Sequence, residues 1–278
     1  MNLFEAEKAT CVLGATPFVF DILEELRQHP RDLSSLRFFL CGGTTIPPKL
    51  FEDCRPFGIR LLSIYGSTES SPHSLVRLND TREHTEETDG CAVDGVEIRV
   101  VDDNRHEVPH GQEGEEASRG PQVFVGYWGE PEMTARALDA DGWYYSGDYC
   151  RTDSEGRYIR ITGRKKDIIV RGGENISSRE VEDIVLEYPG VREAAVVAMP
   201  DERLGERSCA CVSMRPGAPA MHLTDLVAFF DGRRVAKYKF PEYLVVLDAL
   251  PRTSSGKLQK FALARMVRER VAAGQPSD

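Results

Sequence analysis

Apolar positions recur along the chain with more than one period, and the period changes twice. Val19, Ile22, Leu23 and Leu26 fall three and four apart, the spacing of one helix face, and Pro30 closes the run. Residues 36–41 (LRFFLC) form a short apolar run ending on Gly42-Gly43, and residues 60–64 (RLLSI) form a second that leads into YGSTE. Both read as buried strands, with a short helix opened by Pro47-Pro48 between them. Strand, helix and strand in this rhythm predict a parallel α/β sheet. Ligands of such open sheets bind beyond the carboxyl ends of strands, which is where both glycine-bearing segments lie. From about Asp89 the period shortens to two. Val96, Ile98 and Val100 alternate with polar residues, and GEEASRG, VFVGYW and DGWYYSGD follow as short strands between glycine turns. Past Gly163 the texture changes again. Ser177-Ser178-Arg179-Glu180 has capping-box spacing ahead of Val181, Ile184, Val185 and Tyr188, an amphipathic helix. Residues 194–199, 209–214 and 243–247 read as strands, and Leu226, Phe229 and Phe230, then Leu258, Phe261 and Met266, mark two more helices. The expected organisation is a partial α/β portion over 1–88, a β-rich subdomain over 89–163 and a compact α+β domain over 164–278, with the boundary in the polar stretch GRKKD.

Composition narrows the class. The 278 residues are 41% apolar and 29% charged, which excludes a collagenous, low-complexity or wholly disordered chain. No apolar run approaches the roughly 18 residues of a membrane span, and the first residues lack a signal-peptide pattern. The seven cysteines are odd in number and lack C-x₂-C spacing, so reduced thiols and a cytoplasmic location are expected. The net charge of −10 is uneven: 16 basic against 29 acidic residues up to Gly163, then 19 against 16. Six of the eight lysines lie after Gly163, in the pairs Lys165/Lys166, Lys237/Lys239 and Lys257/Lys260. A mildly basic second part suits a polyanionic small ligand and is far too weak for a nucleic-acid protein.

Four polar segments carry candidate chemistry, each with a plainer structural explanation. In YGSTE, Thr68 can donate to a phosphate oxygen and Glu69 can hold Mg²⁺, a hard cation that takes oxygen ligands; such a segment is also an ordinary turn. In YYSGD, Asp148 can accept the two hydroxyls of a ribose; it is equally a solvated turn or cap. In residues 163–182 (GRKKDIIVRGGENISSREVE), Arg164 offers a rigid donor fork and Gly172-Gly173 permit close backbone approach, against the alternative of a charged hairpin before a helix. In PRTSSGK, Lys257 is a mobile cation on a polar loop or simply a surface lysine, and the phosphate-loop spacing G-x-x-x-x-G-K is absent. Cys209 and Cys211 share a strand face, where burial as small apolar groups is favoured over metal binding.

In sequence order, CGGTTIP, YGSTE, YYSGD, GRKKDIIVRGGENISSREVE and PRTSSGK together closely resemble the adenylate-forming superfamily of acyl-CoA synthetases, peptide-synthetase adenylation domains and luciferases. The wording of RFFLCGGTTIP, YGSTESSPH, GEEASRGP and ITGRKKDIIVRGGENISSREVEDI is most similar to bacterial short- and medium-chain fatty-acid–CoA ligases. The resemblance implies ATP, Mg²⁺ and coenzyme A as ligands, a small carboxylic acid as substrate, and two half-reactions through an acyl-adenylate. It implies Thr68 at the α-phosphate, Glu69 on the metal, Gly42, Gly43 and Thr44 beside adenine and acyl chain, and Tyr65 near the adenine. It further implies Asp148 and Arg164 on the ribose, Lys257 as the adenylation lysine, Lys166 as the hinge and Gly172-Gly173 along the pantetheine path. Lys237 or Lys239 is expected on the coenzyme A phosphates. One departure is large: the family's upstream Ser/Thr/Gly-rich phosphate loop does not occur before Gly42. The chain therefore reads as the C-terminal half of a ligase, either truncated or completed by a partner chain, and by itself it is expected to associate with its own copies through its first ~90 residues. A module that loads a carrier protein, and a non-catalytic fragment that binds nucleotide or coenzyme A, are the alternatives.

Overall fold

The computed structural model describes residues 1–43, 46–253 and 257–272. The chain divides into two compact units, Met1–Ile161 and Thr162–Asp278. The first unit begins with α1 (Asn2–Ala6), β1 (Cys11–Gly14), α2 (Thr16–Gln28), β2 (Phe38–Gly42), α3 (Pro48–Cys54), β3 (Leu61–Ser67), β4 (Ser71–Leu75), α4 (Arg82–Glu87) and β5 (Cys91–Ala92). Strands β1, β2 and β3 are parallel, and β4 and β5 continue the same sheet antiparallel. Helix α2 has a proline in its first turn, where a missing N–H costs nothing, and buries Val19, Leu23 and Leu26. These pack with Phe39, Cys41, Leu50, Phe51 and Leu61 into the unit's first core.

The sequence pattern predicts no strand at β1, because four residues are too few to show a period. Burial in β2 is also one-sided: Phe39 and Cys41 face the core while Phe38 and Leu40 are half-buried. Outside β2, Leu13 of β1 is 69% exposed.

Strands β6 (Glu97–Val101), β7 (Gly114–Arg119), β8 (Tyr144–Thr152) and β9 (Ile159–Arg164) form a four-stranded sheet in that order, with α5 (Pro131–Ala137) between β7 and β8. Val101, Ala117, Trp143 and Tyr145 make its small core. The division between the two units falls inside β9.

The second unit contains β10 (Ile168–Arg171), β11 (Glu174–Ser177), α6 (Ser178–Leu186), β12 (Val191–Asp201), β13 (Gly205–Met214), α7 (Leu223–Asp231), β14 (Tyr243–Val246) and α8 (Lys260–Ala272). Its sheet runs β11-β10-β13-β12, with β14 parallel to β13. Ser177 caps α6 by accepting the Glu180 N–H at 3.3 Å, while the Glu180 carboxylate turns outward to Lys239 at 2.7 Å. Both faces of the sheet are covered, so β13 is buried continuously through its second half. Ala210 and Val212 pack with Val181, Val185, Leu226 and Phe230, whereas Cys209 and Cys211 pack with Leu263 and Val267. The two thiols are 4.0 Å apart in an apolar setting. Among the described residues no group of three or more metal-ligating side chains occurs, and no helix is long and apolar enough to cross a membrane.

Candidate functional site

In the first unit the candidate residues gather where the two sheets' strands supply polar side chains to one another. The YGSTE segment is not wholly a loop. Tyr65, Gly66 and Ser67 end β3, and residues 68–70 turn into β4. Glycine is required at position 66, where an added Cβ would lie 2.2 Å from the Ser71 carbonyl oxygen. Thr68 is exposed at the tip. The Glu69 carboxylate accepts the Tyr127 hydroxyl at 2.9 Å, and its main-chain carbonyl accepts the Phe124 N–H at 2.7 Å. Phe124 in turn meets Tyr127 and Tyr144 edge-on, at centroid distances of 4.8 and 5.6 Å. The acid is thus fixed by the segment that follows β7. Burial and the neighbouring Glu69 carboxylate both raise the Tyr127 hydroxyl's pKa, so it remains a donor.

YYSGD is likewise not a free turn. It begins β8, and the pairing register with β7 shifts opposite Glu115 and Ala117, a bulge that re-aims the following side chain. Gly147 donates to the Glu115 carboxylate at 3.0 Å, the Asp148 N–H donates to Ser146 Oγ at 3.1 Å, and the Ser146 hydroxyl donates to the Glu116 carbonyl at 3.0 Å. Asp148 Oδ2 lies 3.0 Å from the Tyr65 hydroxyl, which is also 3.3 Å from Glu116 Oε2. Burial first, then the Glu116 and Asp148 charges, push the Tyr65 hydroxyl well above its ordinary range. Behind it, His73 Nε2 is 3.1 Å from Glu116 Oε1. Burial alone would lower the His73 pKa, but the Glu116 carboxylate and the main chain at Ser71 and Ser70 outweigh it, and the net direction is up.

Gly42 ends β2 and Gly43 is exposed just after it. Thr44 lies outside the described residues.

In the second unit, Arg164 closes β9, and Lys165–Asp167 form a single helical turn with Lys166 exposed. Gly172-Gly173 form the β10–β11 hairpin turn, both at positive φ (59° and 90°), so the hairpin itself accounts for the pair. Lys257 is exposed, and its main chain pairs with Thr253 through bonds of 2.8 and 3.0 Å. Three residues on, Lys260 Nζ reaches Glu182 at 2.7 Å, Ser178 Oγ at 2.9 Å and Asp167 at 3.9 Å. Of the two lysines expected on phosphates, Lys239 is paired with Glu180 and Lys237 is exposed.

The structure adds His73, Glu116 and Tyr127, which sequence reasoning did not single out. The one available signal was Glu116, a charged residue at an inward-facing position of β7. Each partner lies more than forty residues away in the chain, beyond the reach of local pattern.

Comparison with known proteins supplies a further set of findings. A family model described as AMP-binding enzyme matches residues 1–128, and one described as AMP-binding enzyme C-terminal domain matches residues 180–257. The chain is 62% identical over 271 residues to the medium-chain fatty-acid–CoA ligase of Escherichia coli (strain K12), covering 98% of this chain and 48% of that protein. It is 35% identical over 275 residues to a mitochondrial medium-chain acyl-CoA ligase of Mus musculus, covering 98% of this chain and 44% of the relative. Among solved structures, ATP-bound MatB from Rhodopseudomonas palustris superposes with a TM-score of 0.88 at 30% identity, over 96% of this chain and 52% of that one. The chain spans about half the length of the relatives it matches.

Proposed function

The chain belongs to the AMP-binding enzyme family, and from that membership we propose that it carries the C-terminal machinery of an AMP-forming acid–thiol ligase. The substrate is a short- or medium-chain fatty acid, activated by ATP and passed to coenzyme A. The observation that carries this reading is the 62% identity to a medium-chain fatty-acid–CoA ligase along 98% of the chain.

In the first half-reaction the fatty-acid carboxylate attacks the α-phosphorus and pyrophosphate leaves. What the reaction needs is charge neutralisation at phosphorus rather than a covalent nucleophile. Thr68, exposed at its hairpin tip, donates to the α-phosphate, and Lys257 brings a cation to the same group. Asp148 accepts the ribose hydroxyls, with Arg164 as a second contact, and Tyr65 holds Asp148 in place beside the adenine. Gly42 and Gly43 flank the adenine and acyl chain. Glu69 suits Mg²⁺, which takes one or two carboxylates and completes its shell with phosphate oxygens and water; the Tyr127 hydrogen bond already fixes that carboxylate. When bound, the ion offsets phosphate charge. In the second half-reaction the coenzyme A thiol attacks the acyl carbonyl and AMP leaves. Gly172-Gly173 line the path of the pantetheine arm, Lys237 meets the coenzyme A phosphates, and the turn around Lys166 is the pivot between the two steps. All of this chemistry fits a cytoplasmic enzyme.

The test is AMP release from ATP and medium-chain fatty acids in the complete enzyme, with coenzyme A, with a carrier-protein thiol or with neither. Release that depends on coenzyme A supports the proposal. Dependence on the carrier protein would replace it with the loading-module reading, and no release with either thiol would leave a binding fragment.

A further inference from the structure

The polar cluster behind Tyr65 contains more titratable groups than ribose binding requires. His73 on β4 and Glu116 on β7 are both 0% exposed and 3.1 Å apart. The Tyr65 ring stands edge-on to the His73 ring, with centroids 5.2 Å apart and planes 68° apart. Its hydroxyl lies between two carboxylates, 3.0 Å from Asp148 and 3.3 Å from Glu116. A phenol has one hydrogen to donate, so only one carboxylate can receive it. The other oxygen then faces the phenol lone pair to lone pair, which is costly in a buried setting unless its charge is offset.

His73 decides which carboxylate wins. Its Nδ1 lies 3.0 Å from the Ser71 carbonyl oxygen, which can only accept, so Nδ1 carries a hydrogen. A second hydrogen on Nε2 makes the ring an imidazolium that neutralises Glu116. Glu116 then has a weak claim on the Tyr65 hydrogen, which goes to Asp148, the nearer of the two acceptors. Without that hydrogen Glu116 is a buried, unneutralised carboxylate, and it draws the Tyr65 hydroxyl away from Asp148.

We propose that His73 and Glu116 are positioning residues, an imidazolium–carboxylate pair that directs the Tyr65 hydroxyl to Asp148 and so fixes the carboxylate assigned to the nucleotide ribose. The proposal rests on that ribose assignment. It does not place either residue in contact with substrate.

Two readouts test it, and they separate its failure from failure of the ribose assignment. The first is nitrogen-15 NMR of the histidine rings of the full chain at neutral pH, with the His73 signal assigned by its loss in His73→Gln. The expected result is hydrogen on both His73 nitrogens; hydrogen on Nδ1 alone overturns the proposal. The second is AMP affinity by calorimetry. His73→Gln should weaken AMP binding about tenfold, the scale of one lost charge-assisted hydrogen bond. Adding Glu116→Gln removes the competing charge and should restore affinity to within about threefold of the parent. A structural role for His73 predicts no such rescue, so a double variant as weak as the single also overturns the proposal. An imidazolium at His73 in a chain that does not bind AMP would overturn the ribose assignment alone.

Discussion

Lys257 illustrates how a residue's setting determines what its loss should cost. Its main chain is closed onto Thr253 and the residue is exposed, so replacing it removes a charge without opening a buried core. In the complete enzyme, Lys257→Ala should slow acyl-adenylate formation about 10²–10³-fold, the scale for one preorganised donor. Conversion of supplied acyl-adenylate to thioester should survive, and equal loss in both steps would refute the assignment. His73 gives a pH prediction. Its folded pKa is raised above the ordinary 6.5, so its stabilisation is complete below that value and is lost as pH rises through the folded pKa. The groups facing it are Glu116 on β7 and Tyr65 on β3, with Asp148 and Cys150 of β8 next in the cluster; burial keeps the Tyr65 and Cys150 protons in place over that window. The urea midpoint of the first unit should therefore fall as pH rises above about 6.5, and His73→Gln should flatten the slope. A midpoint that rises over the same range would count against the pair. At this scale the sequence singled out candidates that sit in recognisable strings, such as Thr68, Glu69 and Asp148. It hid His73, Glu116 and Tyr127, because a lone polar residue on a strand acquires meaning only from the side chain that the fold sets opposite it.

Among the elements, α8 is secured by its first residue. Lys260 binds Glu182 and Ser178 of α6 and reaches Asp167, next to the expected hinge residue Lys166. Burial raises the Glu182 pKa, and the Lys260 charge, with a smaller contribution from Arg179, works against that rise, so removing the lysine leaves a largely buried carboxylate without its ion-pair partner. Lys260→Met should cost the second unit about 2–3 kcal/mol, somewhat below the range for breaking a fully buried pair, and Lys260→Arg should recover most of it in urea titrations. An unchanged midpoint for the methionine variant would show that the pair carries no net stabilisation. Lys166→Pro fixes φ near −65° in the exposed helical turn and, in the complete enzyme, should impair one half-reaction more than the other. Equal wild-type rates in both would end the hinge assignment. The strong periods of α2, α6, β12 and β13 were legible along the chain. The four residues of β1 were too few to read. The extension of β3 through Tyr65 and the bulge that turns Asp148 were also hidden, because glycine-containing strings look like loops until a neighbouring strand pairs with them.

The whole chain combines a second unit that is covered on both sheet faces with a first unit that is not. The second unit has two apolar clusters of its own, so limited proteolysis should leave a stable fragment beginning near Thr162. In the first unit Leu13 is 69% and Phe18 53% exposed beside a groove of about 870 Å³ that Met1, Phe4, Val12 and Ile22 also line. Apolar surface along an unpaired strand edge favours association. Sedimentation velocity should show concentration-dependent oligomers that Leu13→Lys reduces, and a monomer at all concentrations would contradict this. On the proposed reading, Thr68, Glu69 and Lys257 give this chain the α-phosphate side of the chemistry, and Gly172-Gly173 give it the thiol side. The most direct test of that claim is fatty-acid-dependent ATP–pyrophosphate exchange, measured on the 278-residue chain by itself and on the chain joined to the upstream half of its E. coli relative. Exchange should be near background in the first case, strong in the second, and lost from the second on Lys257→Ala. Robust exchange by the chain alone, or exchange indifferent to Lys257, would contradict it.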